Sequence, residues 1–332
     1  MRLSWLGLIA SLCFATPAFA KTWRLAMVPK ETDNPFFMAT AEGCRVAAAE
    51  LGNVECIFRG NKHIDVRLQD KIISELLDQG VDGIAIAVTQ SEFLAAHSVA
   101  KAARLGIPLI TYDADFSAAT LQTNPNIRKA YVGSDNLAIG QGLGMQLQRL
   151  RPDGGVLIIQ SGRPDSPNLN QRVMGIRMAL SGKTYTKPPG ERLQGENGWR
   201  EFRPPMHNFG HNVDALQDLQ TVLKLYNDDL VDAFVAVGGW VQFSDTFRLT
   251  VEPYREALQS QQMVLVIGDT ARQQMTYLAE GVVAANVGQN PFEMGKQAIK
   301  TLYQIVNQQS YQHTVEIPLR FCDQINYKTC LD

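Results

Sequence analysis

Short continuous apolar stretches alternate with amphipathic ones along almost the whole chain, and this alternation limits the possible folds more than any other feature. After a first strand at 23–29, strand candidates lie at 54–59, 83–88, 108–113, 130–133, 156–161, 193–196, 233–237, 264–268 and 284–289. Helical spacing fills the gaps, at 36–51, 66–79, 93–105, 137–150, 168–180, 215–226 and 291–306. A strand apolar on both faces must be covered on both faces, and a helix between successive strands makes a parallel crossover. The pattern predicts an α/β fold of doubly wound parallel sheets. About ten such units exceed one small sheet, and 332 residues suffice for two domains, so two lobes are expected.

Residues 182–212 break the rhythm. They contain Pro188-Pro189-Gly190 and Pro204-Pro205 with little periodicity, and read as a long surface loop holding one short strand. The Gly140-Gln141-Gly142-Leu143-Gly144 run lies inside a helical pattern, where glycine permits close packing. There is no internal repeat or charge block.

Residues 1–20 read as a signal peptide: Arg2 begins it, an apolar run too short to span a bilayer follows, and Ala18-Phe19-Ala20 is a small-x-small cleavage site. Leu12 before Cys13 argues against lipidation, so a soluble, exported product beginning at Lys21 is expected. No other segment approaches membrane-spanning length. Removing the leader leaves Cys44, Cys56, Cys322 and Cys330, an even count in an exported chain, which points to disulfides. The short separations favour Cys44–Cys56 and Cys322–Cys330 over crossed pairings. Zinc is the competing reading, but the spacing is not C-x2-C and no nearby histidine completes a site.

A net charge of −2 argues against a nucleic-acid surface. No Ser-His-Asp arrangement, G-x-G-x-x-G after the first strand, or P-loop is legible. His207 and His211 sit four apart, but prolines and Gly210 make a metal-binding helix there improbable. An enzyme, a cofactor and a metal are therefore not expected.

The chemistry points elsewhere. Asp33-Asn34-Pro35-Phe36-Phe37 lies between the first strand and the first helix, at the strand's carboxyl end, where open α/β sheets place ligands. Adjacent aromatic faces beside an amide suit a sugar, whose C–H faces are apolar and whose rim is hydroxyl.

With these landmarks in order, the chain resembles the periplasmic sugar-binding proteins of ABC transporters, the ribose and galactose type. The resemblance covers nearly all of the mature chain. It implies the type I periplasmic binding protein architecture: two doubly wound parallel-sheet lobes closing over one ligand at a three-segment hinge. The expected lobes are 21–134 plus 290–316 and 135–289 plus 317–332, with crossings near Ser134-Asp135, Gln289-Asn290 and 315–318. In the family pattern Asn34, Phe36 and Phe37 match the first ligand loop. Asp113 matches a strand-ending ligand aspartate, Arg172 an R-x-x-G arginine, Asp269 a second ligand aspartate and Gln289 a hinge glutamine. Trp199 is the candidate second-lobe aromatic, with Phe209 as a substitute.

Three departures from the ribose pattern stand out: Ala114 replaces an arginine, and the asparagines expected near Ala87 and Gly238 are missing. They imply a ligand other than ribose, a hexose, ketose or sugar derivative, with Trp240, Gln90 and Asp115 available to refill the site. The resemblance implies a monomeric periplasmic protein that is not membrane-inserted, delivering a small-molecule sugar to ABC transporter permease subunits. The alternative partner is a chemoreceptor or histidine kinase that senses the ligand-closed form.

Overall fold

The computed structural model describes residues 21–331; the expected signal peptide lies outside them. In chain order the strands are β1 (Trp23–Val28), β2 (Val54–Phe58), β3 (Gly83–Ile86), β4 (Leu109–Tyr112), β5 (Tyr131–Gly133), β6 (Gly155–Ser161), β7 (Gln194–Glu196), β8 (Trp199–Glu201), β9 (Met206–His207), β10 (Ala233–Ala236), β11 (Val264–Gly268), β12 (Ala285–Gly288), β13 (Thr314–Glu316) and β14 (Arg320–Asp323). They form two sheets. The first, in order β13-β5-β4-β3-β1-β2, is parallel throughout. The second runs β14-β12-β11-β10-β6-β8-β7, with β9 also paired to β6; β14 and β7 each run antiparallel to their neighbour.

The apolar strands are covered on both faces, as their composition requires. Leu25 and Met27 of β1 join one core with Met294, Ala298, Ile299 and Leu302 of the helix Pro291–Val306. Ala26 and Val28 join the opposite core with Ile73, Leu76 and Leu77 of the helix Val66–Asp78. The same alternation splits β10: Ala233 and Val235 face one core, Phe234 and Ala236 the other. Side chains that alternate along a strand build the two layers.

Two helix pairs approach closely enough to need glycine at the contact. A Cβ on Gly43 would lie 2.0 Å from the Phe292 carbonyl oxygen, and one on Gly140 would lie 2.0 Å from that of Arg172. The glycine run at 140–144 thus serves packing. Cys44–Cys56 ties the helix Pro35–Leu51 to β2, and Cys322–Cys330 clips the tail to β14. The chain passes between sheets three times: from β5 into the helix Asn136–Leu150, from β12 into Pro291–Val306, and from β13 to β14. Among the described residues no helix is long and apolar enough to cross a membrane.

The irregular segment is more ordered than its sequence suggests. Instead of one strand in a surface loop it contributes β7, β8 and β9 to the second sheet. It is anchored by a buried bidentate ion pair: Arg177 Nε and Nη2 reach the Glu201 carboxylate at 2.7 and 2.8 Å. The same guanidinium donates to the carbonyls of Pro189 and Gly190.

Candidate functional site

Both sheets point the carboxyl ends of their strands at the crevice between the lobes, the place where an open parallel sheet offers its loops to a ligand. From the first lobe come Lys30, Glu31 and Asn34 after β1, Thr89 after β3 and Asp113 after β4. The second lobe answers with Gly162 after β6, Gly238 and Trp240 after β10, Asp269 after β11 and Gln289 after β12. Asn168 and Arg172 reach in from the helix Pro167–Ser181.

The two strand-ending aspartates share an unusual backbone. Asp113 has φ 58° and Asp269 φ 65°, both in the left-handed region that L-residues seldom occupy. Ala114 N–H donates to the Tyr112 carbonyl at 2.7 Å, so the chain reverses tightly about Asp113. Such conformations cost free energy and cluster at functional sites. Burial pushes the Asp113 carboxyl above the ordinary aspartate range, opposed by the charges of Lys30 and Arg172. Asp269 is pushed the same way by burial, opposed by Arg172 and by the Gly239 N–H, which donates to Oδ2 at 2.7 Å.

Arg172 is 3% exposed. Its Nε donates to Asn136 Oδ1 and its Nη1 to the Val237 carbonyl, both at 2.9 Å. These bonds use two of the five guanidinium N–H groups, leaving donors for a guest in the cleft. Gln289 is 2% exposed; its amide faces Asp113 and helps hold that carboxyl down, but neither Nε2 nor Oε1 reaches full hydrogen-bond geometry with a protein partner. A buried amide without partners costs free energy that a guest with hydroxyl groups recovers.

Lys30 is the least expected member, although it lies in the same strand-end stretch as Asn34. It crosses the crevice: Nζ donates to Ser166 Oγ at 3.3 Å and Asn168 Oδ1 at 3.2 Å on the opposite lobe. Burial lowers its pKa, opposed by Asp113. Glu31 is buried beside it, with its pKa raised by burial and held back by the Asn34 amide, which donates to Oε1 at 3.0 Å. Asn34 also accepts from Phe36 N–H, capping the first helix, so its carbonyl oxygen is already engaged.

Phe36 and Phe37 meet edge to face, centroids 5.2 Å apart, and line the first-lobe side of the cleft. Trp199, expected opposite them, is not there. It is the first residue of β8 and pairs with Gly155 at the start of β6, whereas the cleft lies beyond the other end of that strand. At about 3.3 Å per residue that is roughly 20 Å away. Strand alternation turns its ring inward, fully buried in the second lobe's core. Phe209 is exposed and does not line the cleft either.

The second-lobe aromatic is Trp240. Its indole rests over two glycines: a Cβ on Gly162 or Gly238 would come within 3.1 or 2.8 Å of the ring. The other refill candidates are spent elsewhere. Asp115 holds Arg128 in a bidentate ion pair, and Gln90 caps the helix Ser91–Ala96. Gly268 in turn lets the backbone at Gly238 lie against it, since a Cβ on Gly268 would meet the Gly238 nitrogen at 2.6 Å. At the rim, the space for a Cβ at Gly210 is filled by Ile64 of the first lobe, 2.8 Å away. Among the described residues no cluster of His, Cys, Asp or Glu could hold a metal ion.

Comparison with known proteins agrees with this architecture. A family model described as a periplasmic binding protein domain matches residues 25–310. The D-allose-binding periplasmic protein of Escherichia coli is 25% identical over 298 residues, covering 89% of this chain and 88% of that protein. GanP, a glucose-galactose binding protein from Geobacillus stearothermophilus, is 24% identical, with a TM-score of 0.75 over 92% of this chain and 99% of that one. An ABC transporter solute binding protein from Agrobacterium vitis, bound with alpha-D-tagatopyranose, has a TM-score of 0.79 at 20% identity, covering 92% of this chain and 96% of that one. These two structures share the fold, and all three proteins are named for binding rather than catalysis.

Proposed function

This chain belongs to the periplasmic binding protein family, and on that premise we propose that it captures a sugar or sugar derivative between its lobes and delivers it to an ABC importer from the periplasm. The observation that carries the reading is the composition of the cleft: aromatic rings on both lobes, with buried, incompletely satisfied polar groups between them. A pyranose has that shape, apolar on its faces and hydroxylated around its edge. The three relatives above are named for hexoses, allose, glucose, galactose and tagatose, while other relatives are named for pentoses and a polyol.

Each side chain then has a role. Phe36 and Trp240 take the C–H faces of the ring. Asp113 and Asp269, when ionised, only accept hydrogen bonds and so select hydroxyl donors. Arg172 supplies donors to ring or hydroxyl oxygens, and Gln289 supplies both a donor and an acceptor. Asn34 acts mainly by fixing Glu31 and the start of the first helix. A sugar docked on one lobe is completed by the other, so it binds the closed form better and shifts the population towards it. The lobes, 21–134 plus 290–316 and 135–289 plus 317–332, would turn about the three crossings; hinge closure in periplasmic binding proteins is a known case of such motion. Lys30, bonded to Ser166 and Asn168 across the crevice, stabilises the closed arrangement. The protein would act as a monomer, presenting this shape to the permease subunits.

Thermal unfolding of ligand-stripped protein against pentoses, hexoses, ketoses, polyols and sugar acids tests the proposal, because a ligand that binds only the folded state raises the melting temperature. A shift with one sugar class supports it. Folded protein that shifts with none of them refutes it.

A further inference from the structure

The space between the lobes does not end at this cleft. On its hinge side a second cavity of about 460 Å³ is walled partly by Asn290, a crossing residue. The two spaces share Phe36, Asp269 and Gln289 as a common wall. Beyond it lie the rings of Phe243 and Phe292 and the side chain of Arg272.

Two groups on this wall lack partners. Gln289 is 2% exposed; its amide faces Asp113, yet neither end reaches full hydrogen-bond geometry with a protein partner. Its donors and its acceptor lie at different atoms, so one hydroxyl in the deep cleft does not satisfy both. Arg272 is exposed at the first turn of the helix Arg272–Ala279, which holds no acidic residue, and its side chain has no carboxylate or hydrogen-bond partner among the described residues. Among the described residues Asp269 is the one carboxylate lining this cavity, and one of its oxygens is taken by Gly239 N–H. An unpaired guanidinium, a buried amide and apolar rings together match a stem that ends in an anion.

We infer that this cavity is a subsite for an anionic appendage, carboxylate or phosphate, on the captured sugar. Arg272 takes the charge, and Gln289 bridges the sugar and its appendage. The inference rests on the sugar-binding reading and narrows its substrate class to acidic sugars.

Calorimetric titration of the intact mature protein separates the two. The probes are glucose, galactose and allose; glucuronate, galacturonate and glucose 6-phosphate; and lactose as a neutral extended ligand. At least one anionic probe should bind about tenfold or more tighter than its neutral parent, the gain of one charged hydrogen bond. Because Arg272 is exposed, 0.5 M salt should shrink that gain. In Arg272→Ala the ratio of anionic to neutral affinity should fall to about one, and in Arg272→Glu below one. Neutral hexoses or lactose binding with no preference for acids overturns this inference alone. So does a preference for acids that survives Arg272→Ala. Silence across the whole panel overturns the sugar reading and this inference with it.

Discussion

Gly238→Ala offers a sharp test of the cleft, because its effect is set by one contact. The φ of Gly238 lies outside the left-handed region, so alanine is compatible with the backbone. Only the Trp240 ring is in the way: the new Cβ would lie 2.8 Å from Cη2 and Cζ3. Carbon atoms rest about 3.5–4.0 Å apart, so the ring must retreat by about 0.7–1.2 Å. Trp240 is half-buried, and its open side is the cleft, so the empty protein accommodates the shift with little loss of stability. A sugar stacked on the indole removes that freedom. The overpacking cost, about 1–3 kcal/mol, then falls on the complex and weakens binding roughly five- to 150-fold. Calorimetry with whichever sugar the thermal panel identifies, paired with the melting temperature of the empty variant, reads both terms. Unchanged affinity in a folded Gly238→Ala variant would refute the stacking role of Trp240. A large drop in the empty protein's melting temperature would show instead that the indole is a structural wedge.

The remaining expectations are simpler. Asp113→Ala and Asp269→Ala should each weaken sugar binding by about tenfold or more in protein that remains folded, since each removes charged hydrogen bonds worth about 1.5–3 kcal/mol; wild-type affinity in both would sink the assignment. Burial raises both aspartates above the ordinary 3.8, and hydroxyl donors favour the ionised form, so affinity should fall as pH drops from neutrality into the window just above that value; a flat calorimetric profile there would contradict it. The sign is opposite for the empty fold, where these two groups favour stability below 3.8 and lose that contribution as pH rises through their raised values. Glu201→Gln strands Arg177 in the core and should cost about 3–5 kcal/mol by urea unfolding; a loss under 1 kcal/mol would mean that the pair is not the anchor described. Replacing Cys44 and Cys56 together by alanine should cost about 3 kcal/mol, the loop entropy of their short closure, and unchanged urea stability would argue against the bond.

Asp113, Asp269 and Gln289 were legible as cleft residues because each follows an apolar strand, and the end of a parallel strand fixes where the next residues lie. The same rule was available for Lys30 and Glu31, which follow β1 directly. They were passed over in favour of the aromatic pair a few residues later. Trp199 failed for a different reason. The expected strand at 193–196 is β7, whereas Trp199 opens a further strand, β8; which end of β6 it meets is a matter of register, and register depends on a pairing about 45 residues back in the chain. Gln90 and Asp115 sit in the right loops, yet local partners consume them. For Asp115 that partner is Arg128, thirteen residues on, beyond the short helix Ala118–Thr123 and a loop whose geometry no spacing rule gives. Gly238 stood in the sequence as the place of a missing polar group and Gly162 carried no signal, and only the packing showed both to be the seat of a ring.

The helix Pro291–Val306 belongs to the first lobe, although nearly the whole second lobe precedes it in the chain. Met294, Ala298, Ile299 and Leu302 cover one face of the first sheet, and Gly295 fits against Thr40. A chain ending near 290 therefore leaves that face covered only in part, by the helix Pro35–Leu51. Contacts so distant in sequence form slowly, since a long loop must close before they are rewarded. The second lobe, with its helices and most of its strands continuous between 136 and 288, has no such wait. Folding of this protein should therefore run against the order of its sequence: the half that starts the chain is the last to become solid.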